Sequence, residues 1–334
     1  MKLKDDIKDI FKCPTNIPIA GILPKTDRIV VIGDVHGDIL QFKKTLKLAK
    51  LIDDKDNWIG KNTILVQLGD LIDSCRGIDC QVMSEEDKGS DIELLIYLIQ
   101  LNDKAMKHDG AVYSLIGNHE IMNVQGNFSY VSPKNFDNFI SLLDTNDKTI
   151  DKQDIIEARK NAFKPGNPIA NFLACSKLGI LIIGSNLFVH GGLVPEIAKD
   201  YSPQKINEII RQWLQGKLEN PQEYNKILFS SQYSPFWVRI LGKAPAHLKN
   251  DDSFCKENVQ PVLDYWNVSG IHIGHTPTAF IHKKGINTTC GQSVMRHDYG
   301  SSHAFSSFDK EGRSETRKVQ VVEILNDTTF NILK

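Results

Sequence analysis

Short runs rich in Val, Ile and Leu recur along the chain, and each ends in a cluster of Gly, Asp, Asn or His. They are RIVVIGDVHGD from Arg28, TILVQLGDLID from Thr63, AVYSLIGNHE from Ala111, ILIIGSNLFVHGG from Ile180 and SGIHIGHTP from Ser269. Runs this short, bounded by glycine, predict buried strands rather than helices. Between the first of them lie segments with helical spacing: ILQFKKTLKLAKLI from Ile39, and DIELLIYLIQLNDKAMKH from Asp91 with a cap at Ser90 or Asp91. Strand, helix, strand predicts a layered α/β domain with partly parallel strands. Two strand-like runs around Gly184, Ser185 and Asn186 predict a hairpin and hence a mixed sheet, and VQVVEILNDTTFNIL at the end predicts an edge hairpin around an Asn-Asp turn.

Two polar, charged stretches, about 137–160 and 201–225, interrupt this pattern and predict helical insertions on the surface. With no Pro- or Gly-rich linker beside them, the expected organisation is an N-terminal extension over 1–27 and a single domain over 28–334. The 334 residues, 41% of them hydrophobic, suffice for a substantial core. Forty basic and forty-one acidic residues leave a net charge of -1, so no global field favours nucleic acid or an anionic membrane. No apolar run approaches the roughly 20 residues that span a bilayer, and the start MKLKDDIKDIF lacks an apolar signal core. The expectation is a cytoplasmic protein with no membrane or nucleic-acid partner. Six cysteines, Cys13, Cys75, Cys80, Cys175, Cys255 and Cys290, are sparse for a disulfide framework, and most are expected to be free thiols, with a disulfide or a metal site the lesser alternative for Cys75 and Cys80.

Sites in open α/β sheets form beyond the carboxyl ends of strands, where these polar clusters fall. They supply Asp34, His36, Asp70, Asn118, His190 and His275. Taken singly, such an Asp or Asn is a turn former and such a His a hydrogen-bonded structural residue. Five strands ending in ligand-type residues within glycine-flanked turns are harder to explain that way. Oxygen and imidazole donors without thiolate suit Mn, Fe or Zn, and a carboxylate such as Asp70 can bridge two ions. Two divalent ions roughly 3.5–4 Å apart bind phosphoryl oxygens and lower the pKa of a bound water. That combination hydrolyses phosphate esters. His108, His247 and His282 lack this setting, His272 reads as a strand residue, and His297 and His303 flank DYGSS as minor candidates.

The ordered set GDVHG, GDLID, GNHE, HGG and GHT resembles the PPP class of calcineurin-like metallophosphoesterases. GNHEIMNVQGNFSYVSP, AFKPGNPIANFLA before LFVHGGLVP, SPFWVR and VMRHDYGSSHAFSSFD are similar to the Shewanella-like (bacterial-like) protein phosphatases, a likeness running from Arg28 to Asp309. The resemblance implies a central β-sandwich of mixed sheets flanked by helices. It also implies that Asp34 and His36 hold one metal, that Asp70 bridges, and that Asn118, His190 and His275 hold the other. His119 would protonate the leaving oxygen, because neighbouring side chains point apart and it cannot serve the ion of Asn118. Asp73 would orient its imidazole. Glu120 reads as support at the helix start.

Ser74 stands where the family usually has a phosphate-binding Arg, and the run continues as DSCRGIDC. Arg76 is expected to replace that contact, helped by the freedom of Gly77, and Arg239 matches the family's other phosphate-binding arginine. The resulting expectation is a phosphomonoesterase, in particular a phosphoprotein phosphatase, in which a metal-bridging hydroxide attacks the phosphate ester of a phosphorylated protein or small molecule. The alternatives are a dinucleoside polyphosphate phosphohydrolase, which shares the metal core, and a pseudophosphatase that binds a phosphorylated partner without turnover.

Overall fold

The computed structural model describes residues 11–76, 80, 87–143, 150–309 and 314–334. Among these, twelve strands pair into two six-stranded sheets. The first contains β2 (Arg28–Ile32), β3 (Ile64–Gln67), β4 (Ala111–Leu115), β5 (Lys177–Leu178), β11 (Val321–Leu325) and β12 (Thr329–Leu333), in the order β12-β11-β2-β3-β4-β5. The second contains β1 (Ile22–Leu23), β6 (Ile180–Ile183), β7 (Asn186–Val189), β8 (Gly270–Ile273), β9 (Asn287–Thr289) and β10 (Val294–Arg296), in the order β1-β6-β7-β8-β10-β9. Strands β2, β3, β4 and β5 run parallel, and so do β7, β8 and β10 and the pair β1–β6; the pairs β2–β11, β11–β12, β6–β7 and β9–β10 are antiparallel. The sheets are therefore mixed, and both expected hairpins, β6–β7 and β11–β12, form.

Alternation along the strands explains the packing. In β2, Ile29 and Val31 enter a core with Val66, Tyr113, Phe188 and Met295, which fills the space between the sheets. Val30 and Ile32 face the other way, into a larger core that the helices cover. A strand buried on both faces has no polar positions, so it reads as a continuous apolar run. The helices expected after β2 and before β4 form as Ile39–Leu48 and Asp91–Met106. Helices also form in the polar stretches, as Lys152–Phe163 and Pro203–Leu214. Residues 144–149 of the first stretch lie outside the described residues.

The cysteines depart from expectation. Instead of free thiols, the structure pairs all six as Cys13–Cys175, Cys75–Cys80 and Cys255–Cys290. Pairing partners lie up to 162 residues apart, a relation that local spacing does not reveal. Cys13–Cys175 ties the N-terminal segment to the helix Pro168–Ser176, where Phe11 also packs on Phe172 with ring centroids 4.8 Å apart. In the chain-entropy account, closing a loop of that size stabilises the fold by about 5 kcal/mol.

His272 lies in β8, as its strand position suggests, with its ring stacked on Phe188. Its Nε2 is 3.0 Å from Asn186 Oδ1, and its Nδ1 is 3.0 Å from His297 Nε2. Burial pushes His272 down to about 3, and burial with the neighbouring His272 holds His297 well below the ordinary histidine range. Below pH 6.5 the unfolded chain therefore binds protons on these rings that the folded chain does not. Stability is lost as pH falls, by about 1.4 kcal/mol per unit for each ring. Urea denaturation of wild type and His272→Gln at pH 7 and pH 5.5 tests this. The stability gap between them should shift against the wild type at the lower pH; an unchanged gap would show that His272 is not held neutral.

Candidate functional site

The turns after β2, β3, β4, β7 and β8 meet at one end of the sandwich. They deliver Asp34 and His36, Asp70 and Asp73, Asn118 and His119, His190, and His275 respectively. Several hydrogen bonds join the turns directly. The Val35 and His36 N–H groups donate to the Asp70 carbonyl, the His119 N–H donates to Asp70 Oδ1 at 2.9 Å, and the His275 N–H donates to Asp34 Oδ1 and Oδ2 at 3.1 and 3.0 Å. A Cβ added at Gly117 would meet Asp70 Oδ1 at 2.1 Å, and one at Gly274 would meet Asp34 Oδ1 at 2.3 Å. The close approach of these turns thus requires glycine.

Asp70 is the centre of this cluster. Its Oδ2 lies 3.3 Å from His190 Nε2, 3.8 Å from His119 Nε2 and 3.9 Å from His36 Nε2. Burial opposes its charge, yet His190, His119 and His36 together hold the carboxyl well below the usual carboxylate range. Asp34, with Oδ2 3.7 Å from His36 Nε2, goes the other way: burial and the charges of Asp298 and Asp70 push it well up. Burial and the Arg76 guanidinium push His36 well below the ordinary histidine range; burial and His190 do the same to His275. Neutral imidazole is the form that binds metal.

The donor set suits divalent cations. His36, Asp70 and His119 present ligand atoms within 4.8 Å of one another, and so do Asp70, His190 and His275, with Asp70 common to both groups. Asn118 Oδ1 is 3.0 Å from His190 Nε2, and the buried His275 Nδ1 has no hydrogen-bond partner among the described residues. Second contacts orient the rings: His190 Nδ1 lies 2.8 Å from the Leu68 carbonyl, and His275 Nε2 lies 3.0 Å from that of Trp237. His36, Asp70, Asp73 and His275 all have left-handed backbones, with φ of 46°, 50°, 73° and 65°. Such conformations cost non-glycine residues about 1–3 kcal/mol each and concentrate at functional sites.

His119 Nδ1 is 2.8 Å from Asp73 Oδ2, while its Nε2 faces Asp70 and Arg76. The opening lies in a cavity of about 530 Å³ lined by Arg76, His119, Tyr130, Trp237, Arg239 and Asp298, among others. Arg76 Nη2 lies 2.7 Å from His36 Nε2 and 3.1 Å from His119 Nε2, and Cys75–Cys80 closes the loop beside it; Gly77 lies outside the described residues. Arg239 donates to the His275 carbonyl at 2.5 Å. Ser74 does not face the cavity's arginines. It is buried, with Oγ accepting from Asn135 at 2.8 Å and lying 3.1–3.2 Å from Ser132 and Asp87, which leaves no room for a longer side chain.

The sequence reading missed Asp298, although it ends a strand in the same manner as Asp34 and Asp70; burial pushes it up to about 6. His297 points between the sheets, and His303 pairs with Asp38 at 3.1 Å. Neither lines the cavity.

A family model described as calcineurin-like phosphoesterase matches residues 27–279. The chain belongs to that family. It is a metal-dependent phosphatase that works with divalent ions. Among its relatives, an uncharacterized protein of Acanthamoeba polyphaga mimivirus is 38% identical over 256 residues, covering 72% of this chain and 98% of that protein. Shewanella-like protein phosphatase 2 of Arabidopsis thaliana is 30% identical over 306 residues, covering 83% of this chain and 72% of that protein. The crystal structure of a cold-active protein-tyrosine phosphatase from a Shewanella species superposes with a TM-score of 0.66 at 22% identity, over 98% of this chain and 85% of that one, and so shares the fold.

Glu120 supports the centre from beneath. Its fully buried carboxylate accepts from the N–H groups of Asp70 at 3.1 Å, Leu71 at 2.8 Å and Gly117 at 2.8 Å. Glu120→Gln turns an NH₂ group toward one of these donors. It should destabilise the metal-free protein by about 1–3 kcal/mol, the cost of a buried unsatisfied donor. Chemical denaturation in chelator measures this, and an unchanged midpoint would remove Glu120 from that role.

Proposed function

We propose that this calcineurin-like phosphatase is a phosphoprotein phosphatase that holds two divalent ions, of Mn, Fe or Zn type, on either side of Asp70. The observation that carries the reading is the position of Asp70 Oδ2 between two sets of imidazoles, with the His119–Asp73 pair alongside. Asp34 and His36 would complete one set, and Asn118, His190 and His275 the other. Bound there, such ions polarise phosphoryl oxygens and activate water.

The remaining steps belong to side chains. Arg76 and Arg239 both line the cavity and carry the planar donor pairs that match phosphoryl oxygens. Asp73 holds His119 through Nδ1, which leaves Nε2 at the cavity; protonated there, His119 would give its proton to the leaving oxygen as the general acid. The three disulfides favour an oxidising compartment over the expected cytoplasm, where thiols stay reduced. No helix among the described residues is long and apolar enough to cross a membrane.

A phosphopeptide panel run beside a dinucleoside tetraphosphate, with added divalent metal, tests the substrate class. Preference for the dinucleotide would replace the protein-phosphatase reading. His119→Ala should slow turnover of alkyl phosphates by roughly 10²–10⁴-fold while retaining metal. The deficit should shrink for nitrophenyl esters, whose leaving group needs no proton; an equal loss for both would give His119 another role. Arg76→Lys should raise KM or lower kcat about tenfold or more, since one ammonium cannot reproduce the paired donors. Unchanged kinetics would mean that Arg76 does not bind the phosphate.

A further inference from the structure

Behind the Asp73–His119 pair lies a cation that no strand-end motif announces. Arg159, on the helix Lys152–Phe163, is fully buried. Its Cζ sits 5.0–5.7 Å from the ring centroids of Phe128, Phe136, Phe139 and Phe163. Burying a guanidinium costs several kcal/mol unless its donors are matched, and here they are. Nε and Nη2 donate to Asn123 Oδ1 at 2.9 and 2.8 Å, Nη2 donates to Asp91 Oδ2 at 2.9 Å, and Nη1 donates to the Asn135 carbonyl at 3.2 Å.

Each partner passes the order on to Asp73. With its oxygen claimed by two donors of Arg159, the Asn123 amide must turn its nitrogen the other way. That Nδ2 donates to Asp73 Oδ1 at 2.8 Å and to the His119 carbonyl at 2.9 Å. Asp91 Oδ1 accepts the Asp73 N–H at 3.0 Å, at a residue with left-handed φ of 73°. The cation also lies 3.7 Å from Asp73 Oδ1, offsetting the repulsion between the two buried carboxylates. Asp73 Oδ2 is thereby left to His119.

We infer that Arg159 is a positioning residue for catalysis, which acts through Asn123 and Asp91 to hold Asp73 and so fix the ring of His119. The inference rests on the reading of His119 as general acid. A buried cation with only a structural task would affect all substrates alike. One that aligns the acid affects those whose leaving group needs a proton.

The test compares Arg159→Met, Asn123→Ser, His119→Ala and the double variant Arg159→Met/His119→Ala on phenyl phosphate and 2,4-dinitrophenyl phosphate, with metal content and circular dichroism recorded for each. Arg159→Met should lower kcat for phenyl phosphate by about 10–100-fold, part of the general-acid contribution, with KM and metal content unchanged. Its effect on the dinitrophenyl ester should be several-fold smaller. In the His119→Ala background the Arg159 substitution should cost nothing further on phenyl phosphate, because both act through one group. Equal losses on the two esters, or deficits that multiply in the double variant, would overturn the inference. Should Arg159→Met fail to fold, Asn123→Ser decides, since it cuts the link to Asp73 but keeps the Arg159–Asp91 pair. If His119→Ala itself shows no leaving-group dependence, the general-acid reading fails. If it does while the Arg159 deficit multiplies, only the role of Arg159 falls.

Discussion

The carboxylate of Asp70 is the charge around which the rest of the site is organised. It is buried, and an isolated buried carboxylate would take up a proton rather than stay ionised. Three imidazoles surround Oδ2, and a backbone N–H from the next strand end takes Oδ1. The backbone of Asp70 is fixed as well: its N–H goes to Glu120, and its carbonyl accepts two N–H groups from the turn after β2. Moving this residue would disturb three strand ends at once.

That dependence explains features that look separate. Parallel β2, β3 and β4 bring their carboxyl ends to one edge, so the polar turns are forced together by sheet geometry. Turns this close leave no space for Cβ atoms at Gly117 and Gly274, and they drive Asp70, His36, Asp73 and His275 into left-handed backbone. Such strain persists only where the surroundings hold it. Here they do so with apolar cores on both faces of the first sheet and with a dense set of buried hydrogen bonds.

Support extends well beyond the ligand-type residues. Glu120 lies under the Asp70 turn, and the Arg159, Asn123 and Asp91 set lies behind Asp73. Cys75–Cys80 closes the loop next to Arg76, and Cys13–Cys175 secures the segment that leads into β1. The cavity itself is lined by cationic, acidic and aromatic groups, Arg76, Arg239, Asp298, Tyr130 and Trp237 among them. The anionic head of a phosphorylated substrate matches the arginines of that lining.

The sequence by itself determined eight of the described strands, β2–β4, β6–β8, β11 and β12, with their two hairpins and most of the polar residues at strand ends; the short β1, β5, β9 and β10 were not read from it. Each of these is a local pattern: an apolar run of strand length, a glycine, then a donor of the right type. Asp34, His36, Asp70, Asn118, His119, His190 and His275 were legible for that reason, and the structure brings all seven together. Only the tertiary structure decided what depends on direction or on distant partners. The polar stretch containing Arg159 reads as surface, and which way one guanidinium points on a charged helix is set by packing against Phe139 and Phe163. Six scattered cysteines read mostly as thiols because pairing requires proximity of Cα atoms, 5.5 Å for Cys13 and Cys175, which a separation of 162 positions along the chain conceals. Ser74 looked like a site for the missing arginine, but only packing with Asp87, Ser132 and Asn135 encloses it. Local pattern identifies the chemistry a chain carries; the long-range contacts decide which groups face the cavity and which hold the others in place.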